Sequence, residues 1–93
     1  MIDVPFTQYL RPNGDKRKVV IDMPDEVGRM AQVIIGRGYV FECEELATGE
    51  ASFTVTDPEE GDLDIEVVPN GPEVPIAVER LIRRFATVQR IEA

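Results

Sequence analysis

The stretch Tyr39-Val40-Phe41-Glu42-Cys43-Glu44-Glu45-Leu46-Ala47-Thr48-Gly49-Glu50-Ala51-Ser52-Phe53-Thr54-Val55-Thr56-Asp57-Pro58-Glu59-Glu60-Gly61-Asp62-Leu63-Asp64-Ile65-Glu66-Val67-Val68 decides the fold. Three period-two segments, 39–46, 51–57 and 63–68, are separated by the turns Thr48-Gly49 and Asp57 to Asp62. Alternation sets Tyr39, Phe41 and Cys43, then Ala51, Phe53 and Val55, then Leu63, Ile65 and Val67 toward a core. It sets Glu42 and Glu44, then Ser52, Thr54 and Thr56, then Asp64 and Glu66 away from it. Such spacing predicts an antiparallel meander.

Upstream, residues 2–11 alternate with Val4, Phe6, Gln8 and Leu10 on one side and Asp3, Thr7, Tyr9 and Arg11 on the other. Pro12-Asn13-Gly14-Asp15 follows, and Asn-Gly between strands is a strong hairpin signal because both residues accept positive φ. From Lys16 to Met23 the alternation resumes, with Val19, Ile21 and Met23 inward and Lys16, Lys18 and Asp22 outward.

Pro24 suits the first position of a helix. The apolar residues Val27, Met30, Ala31, Ile34 and Ile35 then form one helical stripe, which Gly36 or Gly38 ends. Pro69-Asn70-Gly71-Pro72 breaks the sheet. A second helix is expected from Pro72 to about Val88, with Val74, Val78, Leu81, Ile82 and Phe85 as its stripe. Its basic residues Arg80, Arg83 and Arg84 suit the negative end of the helix dipole.

The order ββαβββα predicts an α+β two-layer sandwich, a five-stranded antiparallel-rich sheet with both helices on one face. A helix crossover from strand two to strand three predicts the strand order 2-1-3-4-5. At 93 residues the chain reads as a single domain, 1–93.

Charge is unevenly spread. Between Gly38 and Glu79 lie twelve acidic residues and no Lys or Arg, within a net charge of -8. Direct nucleic-acid binding and attraction to anionic membranes are disfavoured, since both need cations. Meander pairing predicts two rows of carboxylates on the open face, Glu42 with Glu44 and Asp64 with Glu66. They would stand about 10 Å apart, with Thr54 between them. Glu42, Glu44, Thr54, Asp64 and Glu66 are therefore the expected partner-binding residues. Carboxylates at that spacing imitate a run of phosphates, so the expected partner is a basic protein surface such as the groove of a nucleic-acid-binding protein. The other reading makes this a small accessory domain whose acidity serves solubility.

No enzyme is expected. The chain has no histidine, which removes the usual general base near neutral pH. Its single cysteine, Cys43, falls on a core face. Acid density from Asp57 to Asp64 resembles a calcium loop but has the wrong spacing, with Gly61 at a ligand position and Val68 where a bidentate Glu is needed. No metal or cofactor is expected. One cysteine, the absence of a secretory pattern at Met1-Ile2-Asp3-Val4-Pro5 and the lack of a long apolar run predict a cytoplasmic protein without membrane contact. The basic cluster Arg11, Lys16, Arg17 and Lys18 reads as an exposed turn. It also suits weak head-to-tail contact with the acidic half of another copy, so a monomer or weak homo-oligomer is expected.

Three segments, Phe6-Thr7-Gln8-Tyr9-Leu10-Arg11-Pro12-Asn13-Gly14, Phe41-Glu42-Cys43-Glu44-Glu45-Leu46-Ala47-Thr48-Gly49-Glu50 and Ile65-Glu66-Val67-Val68-Pro69-Asn70-Gly71-Pro72, resemble a group of small bacterial and prophage proteins to which no activity is assigned. The resemblance implies a phage or mobile-element origin and, with it, an inhibitor. It supplies no functional residue.

Overall fold

The computed structural model describes residues 1–10 and 14–92. Strand β1 (Ile2–Leu10) pairs antiparallel with β2 (Asp15–Met23). Gly14 has φ 71°, the left-handed region the turn needs; Arg11, Pro12 and Asn13 of the expected hairpin lie outside the described residues. Helix α1 (Asp25–Gly36) then carries the chain over to β3 (Val40–Glu45), which runs parallel to β1. β4 (Glu50–Asp57) and β5 (Gly61–Pro69) complete the meander, and α2 (Val74–Val88) closes the fold. The sheet is mixed, with order β2-β1-β3-β4-β5. Helix α1 joins β2 to β3 by passing over β1, so β1 lies between the two strands it links, the order expected from the sequence.

Both helices lie on one side of the sheet, where Phe6, Phe41, Phe53, Val4 and Val55 meet Val27, Ala31, Ile34, Val78, Leu81 and Ile82. Phe6 stands edge-on to Phe53 with ring centroids 5.6 Å apart, and Tyr39 edge-on to Phe85 at 5.0 Å. Gln8 is also buried on this side and its Oε1 accepts a hydrogen bond from Arg17 Nε.

Each helix starts slightly later than its prolines suggested. Pro24 precedes α1 and its carbonyl accepts the N–H of Gly28. In α2, Pro75 sits inside the first turn, where a missing N–H costs nothing. Gly28 is buried in α1, and a Cβ built there would come within 2.3 Å of Ile2 Cβ. A hydrogen at this one position lets α1 lie against β1. α2 ends in a Schellman motif: Arg90 adopts φ 55°, Ile91 N–H bonds to Ala86 O at 2.8 Å and Arg90 N–H to Thr87 O at 3.3 Å.

The expected orientation of β5 is overturned. Directly opposed residues of paired strands share a face. Phe53 opposes Glu66 and Val55 opposes Asp64, so these two acids point to the helix side, while Ile65 opposes Thr54 and Val67 opposes Ser52 on the open side. A register shift causes this. Val55 pairs with Asp64 but the next residue, Thr56, pairs with Asp62, which leaves Leu63 as an extra residue in β5. Such a bulge reverses the parity of everything beyond it. Asp62 stays on the open face with Thr56, and Asp64, Glu66 and the buried Val68 turn inward. Leu63, Ile65 and Val67, expected in the core, are 37%, 52% and 45% exposed.

Candidate functional site

The open face runs from a basic edge to an apolar one. β2 contributes Lys16 and Lys18, opposite Tyr9 and Thr7 of β1. Lys16 Nζ lies 5.0 Å from the centre of the Tyr9 ring, within cation–π range. β3 follows with Glu42 and Glu44, β4 with Ser52, Thr54 and Thr56, and β5 with Asp62, Ile65 and Val67. Flanking side chains cover Ser52 and Thr54, which are only 9% and 8% exposed.

Tyr9, Glu42, Glu44, Ser52, Thr54 and Asp62 line a depression of about 230 Å³. Hydroxyl groups hold Glu42 there: Tyr9 Oη donates to its Oε1 at 2.7 Å and Thr56 Oγ1 lies 3.4 Å from its Oε2. Thr56 Oγ1 is also 3.2 Å from Asp62 Oδ1. Donating its hydrogen to the Glu42 carboxylate favours the protonated phenol, so this bond pushes Tyr9 above its usual range, with partial burial and the nearby negative charge adding to the effect.

Of the five residues singled out from sequence, the structure brings Glu42, Glu44 and Thr54 together on the open face. Asp64 and Glu66 stand on the other side of the sheet, bound to α2. Arg84 Nε donates to Asp64 Oδ2 and Nη2 to Oδ1, both at 2.8 Å, while Nη1 donates to Glu66 Oε1 at 2.7 Å. Arg80 Nε donates to the same Glu66 oxygen at 2.7 Å. These arginines, expected to serve the helix dipole, act instead as counter-ions. Hydrogen bonds from Arg80 and Arg84 hold the Glu66 carboxyl at about 2, against an ordinary 4.5. The two rows of carboxylates on one face do not form, because the bulge moves one row to the opposite side. The structure adds Tyr9, Thr56 and Asp62 to the residues expected there. Tyr9 shares the outward parity of Asp3 and Thr7, so its place on this face was readable once β1 was set beside β3.

Cys43 is buried on the helix side. Desolvation pushes its thiol up to about 11, and the charge of Glu45 adds to the rise while Arg17 opposes it. Among the described residues no group of three or more His, Cys, Asp or Glu side chains is arranged to hold a metal ion, and no helix is long and apolar enough to cross a membrane. The chain matches no protein-family model, no curated protein and no solved structure.

Proposed function

We propose that this protein is a non-enzymatic binding module that docks a basic, apolar-rimmed protein surface on its open sheet face. The supporting observation is the row Leu63, Ile65 and Val67, exposed beside the Glu42, Glu44 and Asp62 depression. A face serving solubility alone has no use for aligned exposed aliphatics, which favour association. A partner that fits presents a cationic side chain to Glu42 and aliphatic groups to Ile65 and Val67. Lys16 and Lys18 at the far edge repel the same cations and so set the direction of docking. Occupying the basic groove of another protein, as a phage-type inhibitor does, is the concrete form of this reading. A net charge of -8 disfavours nucleic acid as the direct ligand. The single buried Cys43 suits work in the reducing cytoplasm.

A peptide of alternating Lys and Leu, titrated into isotopically labelled protein, tests the proposal. Amide shifts concentrated at Tyr9, Glu42, Thr54, Ile65 and Val67 are expected, weakening at high salt and disappearing in the E42K/E44K variant. Shifts spread over both faces, or unchanged in that variant, overturn it.

One observation favours the plainer reading, an accessory domain whose acids serve stability and solubility. Asp64 and Glu66 already have partners in Arg80 and Arg84 and bolt α2 to the sheet. If E42K/E44K is silent in every binding assay, that reading stands.

A further inference from the structure

Among the described residues β5 ends the sheet and pairs only with β4. An end strand leaves every second residue with an N–H and a C=O that face away from the ladder, and these groups recruit other strands. At Ile65 both groups are taken by side chains. Its N–H donates to Asp64 Oδ1 at 2.9 Å and its C=O accepts from Arg84 Nη2 at 3.2 Å. Arg84 Nη2 also donates to the same Asp64 oxygen at 2.8 Å. The result is a closed ring: backbone N–H to carboxylate, guanidinium to carboxylate, and guanidinium to backbone C=O. It imitates the two hydrogen bonds that an antiparallel strand would offer Ile65.

We propose that the β5 edge is a strand-pairing surface for a second copy of this chain, held shut by the Asp64–Arg84 ring over Ile65. The occupant follows from self-complementarity. A two-fold axis at Ile65 sets Ile65 opposite Ile65 and Leu63 opposite Val67, so that six aliphatic side chains, 37% to 52% exposed in the single chain, meet in one row on the open face. Such a contact is isologous and closes at two chains. On the helix side the same axis sets Asp64 opposite Glu66 of the copy, and like charges facing across strands oppose the pairing. The ring therefore withholds the backbone groups while the acids add repulsion. The pairing surface shares Leu63, Ile65 and Val67 with the proposed docking face, but it needs no outside partner, so the mass of the protein alone tests it separately.

The test compares the sedimentation mass of the wild type with that of D64A/R84A, which removes both halves of the ring and one acid of each opposing pair. The wild type is expected to be monomeric and D64A/R84A to read twice its mass. Adding I65K, which puts a cation at the two-fold axis, should return the monomer. A folded D64A/R84A that stays monomeric overturns the proposal, as does an association that survives I65K or a wild type already paired through β5. Should D64A/R84A fail to fold, hydrogen exchange on the wild type decides. The Ile65 amide should exchange several-fold more slowly than that of Val67, the next outward-facing residue of the edge; equal rates overturn the proposal.

Discussion

Arg84 grips Asp64 with two parallel 2.8 Å hydrogen bonds, Nε to Oδ2 and Nη2 to Oδ1, and so fastens the second helix to the last strand of the sheet. A bidentate pair of this kind is directional as well as attractive. It fixes where α2 lies across the sheet rim, beyond the contacts of Leu81 and Phe85 beneath it.

Stability should fall in acid through this cluster. Glu66 is depressed to about 2 from an ordinary 4.5, so its contribution is fully present above pH 4.5 and lost as pH falls from there toward 2. Water still reaches the cluster, with the Arg84 side chain 41% exposed, which limits the Glu66 contribution to about 1 kcal/mol. Urea unfolding of the wild type between pH 6 and pH 2 should show that loss, and E66Q should lack it while being about 1 kcal/mol less stable at pH 6.

Gly28→Ala should destabilise despite the better helix propensity of alanine. The gain of about 1 kcal/mol from propensity is outweighed by a methyl group placed within 2.3 Å of Ile2 Cβ, an overpacking that costs about 1–3 kcal/mol. Shortening Ile2 to Ala in the same chain should recover part of the loss. A double-mutant cycle by thermal unfolding measures the coupling, and additive effects would show that the two residues do not press on each other.

Arg90 carries the positive φ that ends α2. Replacing it with glycine removes the clash of a Cβ in the left-handed region while keeping both terminal hydrogen bonds, and should stabilise by about 0.5–1 kcal/mol. Arg90→Val, branched at Cβ, should move the denaturation midpoint the other way.

Cys43 should be a poor nucleophile. With its thiol at about 11 and its side chain enclosed, very little thiolate forms at neutral or mildly alkaline pH. Alkylation of the folded protein at pH 8 should therefore proceed at the rate of global opening and accelerate sharply in denaturant. Rapid labelling of native protein would contradict the burial of this side chain.

Much of the architecture is legible in periodicity. The stripes Val27, Ala31, Ile34 and Val78, Leu81, Ile82, Phe85 mark the helix faces, and the alternation of Val4, Phe6, Gln8 and of Phe41, Cys43 marks the inner faces of β1 and β3. These elements bury a whole face, so polarity reports position faithfully. Glu42, Glu44 and Thr54 reach the open face for the same reason.

β5 escapes this logic. Leu63 to Val67 alternates apolar and acidic residues, and Val68 continues the apolar set with the opposite parity, so the local pattern is compatible with either face. Only pairing with β4 introduces the bulge at Leu63 that chooses between them. An end strand also lies at the rim of the helical layer, where an inward carboxylate meets Arg80 and Arg84 at the solvent boundary instead of a sealed core. Local periodicity settles element order, helix faces and the inner strands, because their burial is complete. The direction of Asp64 and Glu66, and with it the charge of the open face, belongs to long-range register and counter-ion placement, which arise only when residues far apart in the chain are brought together.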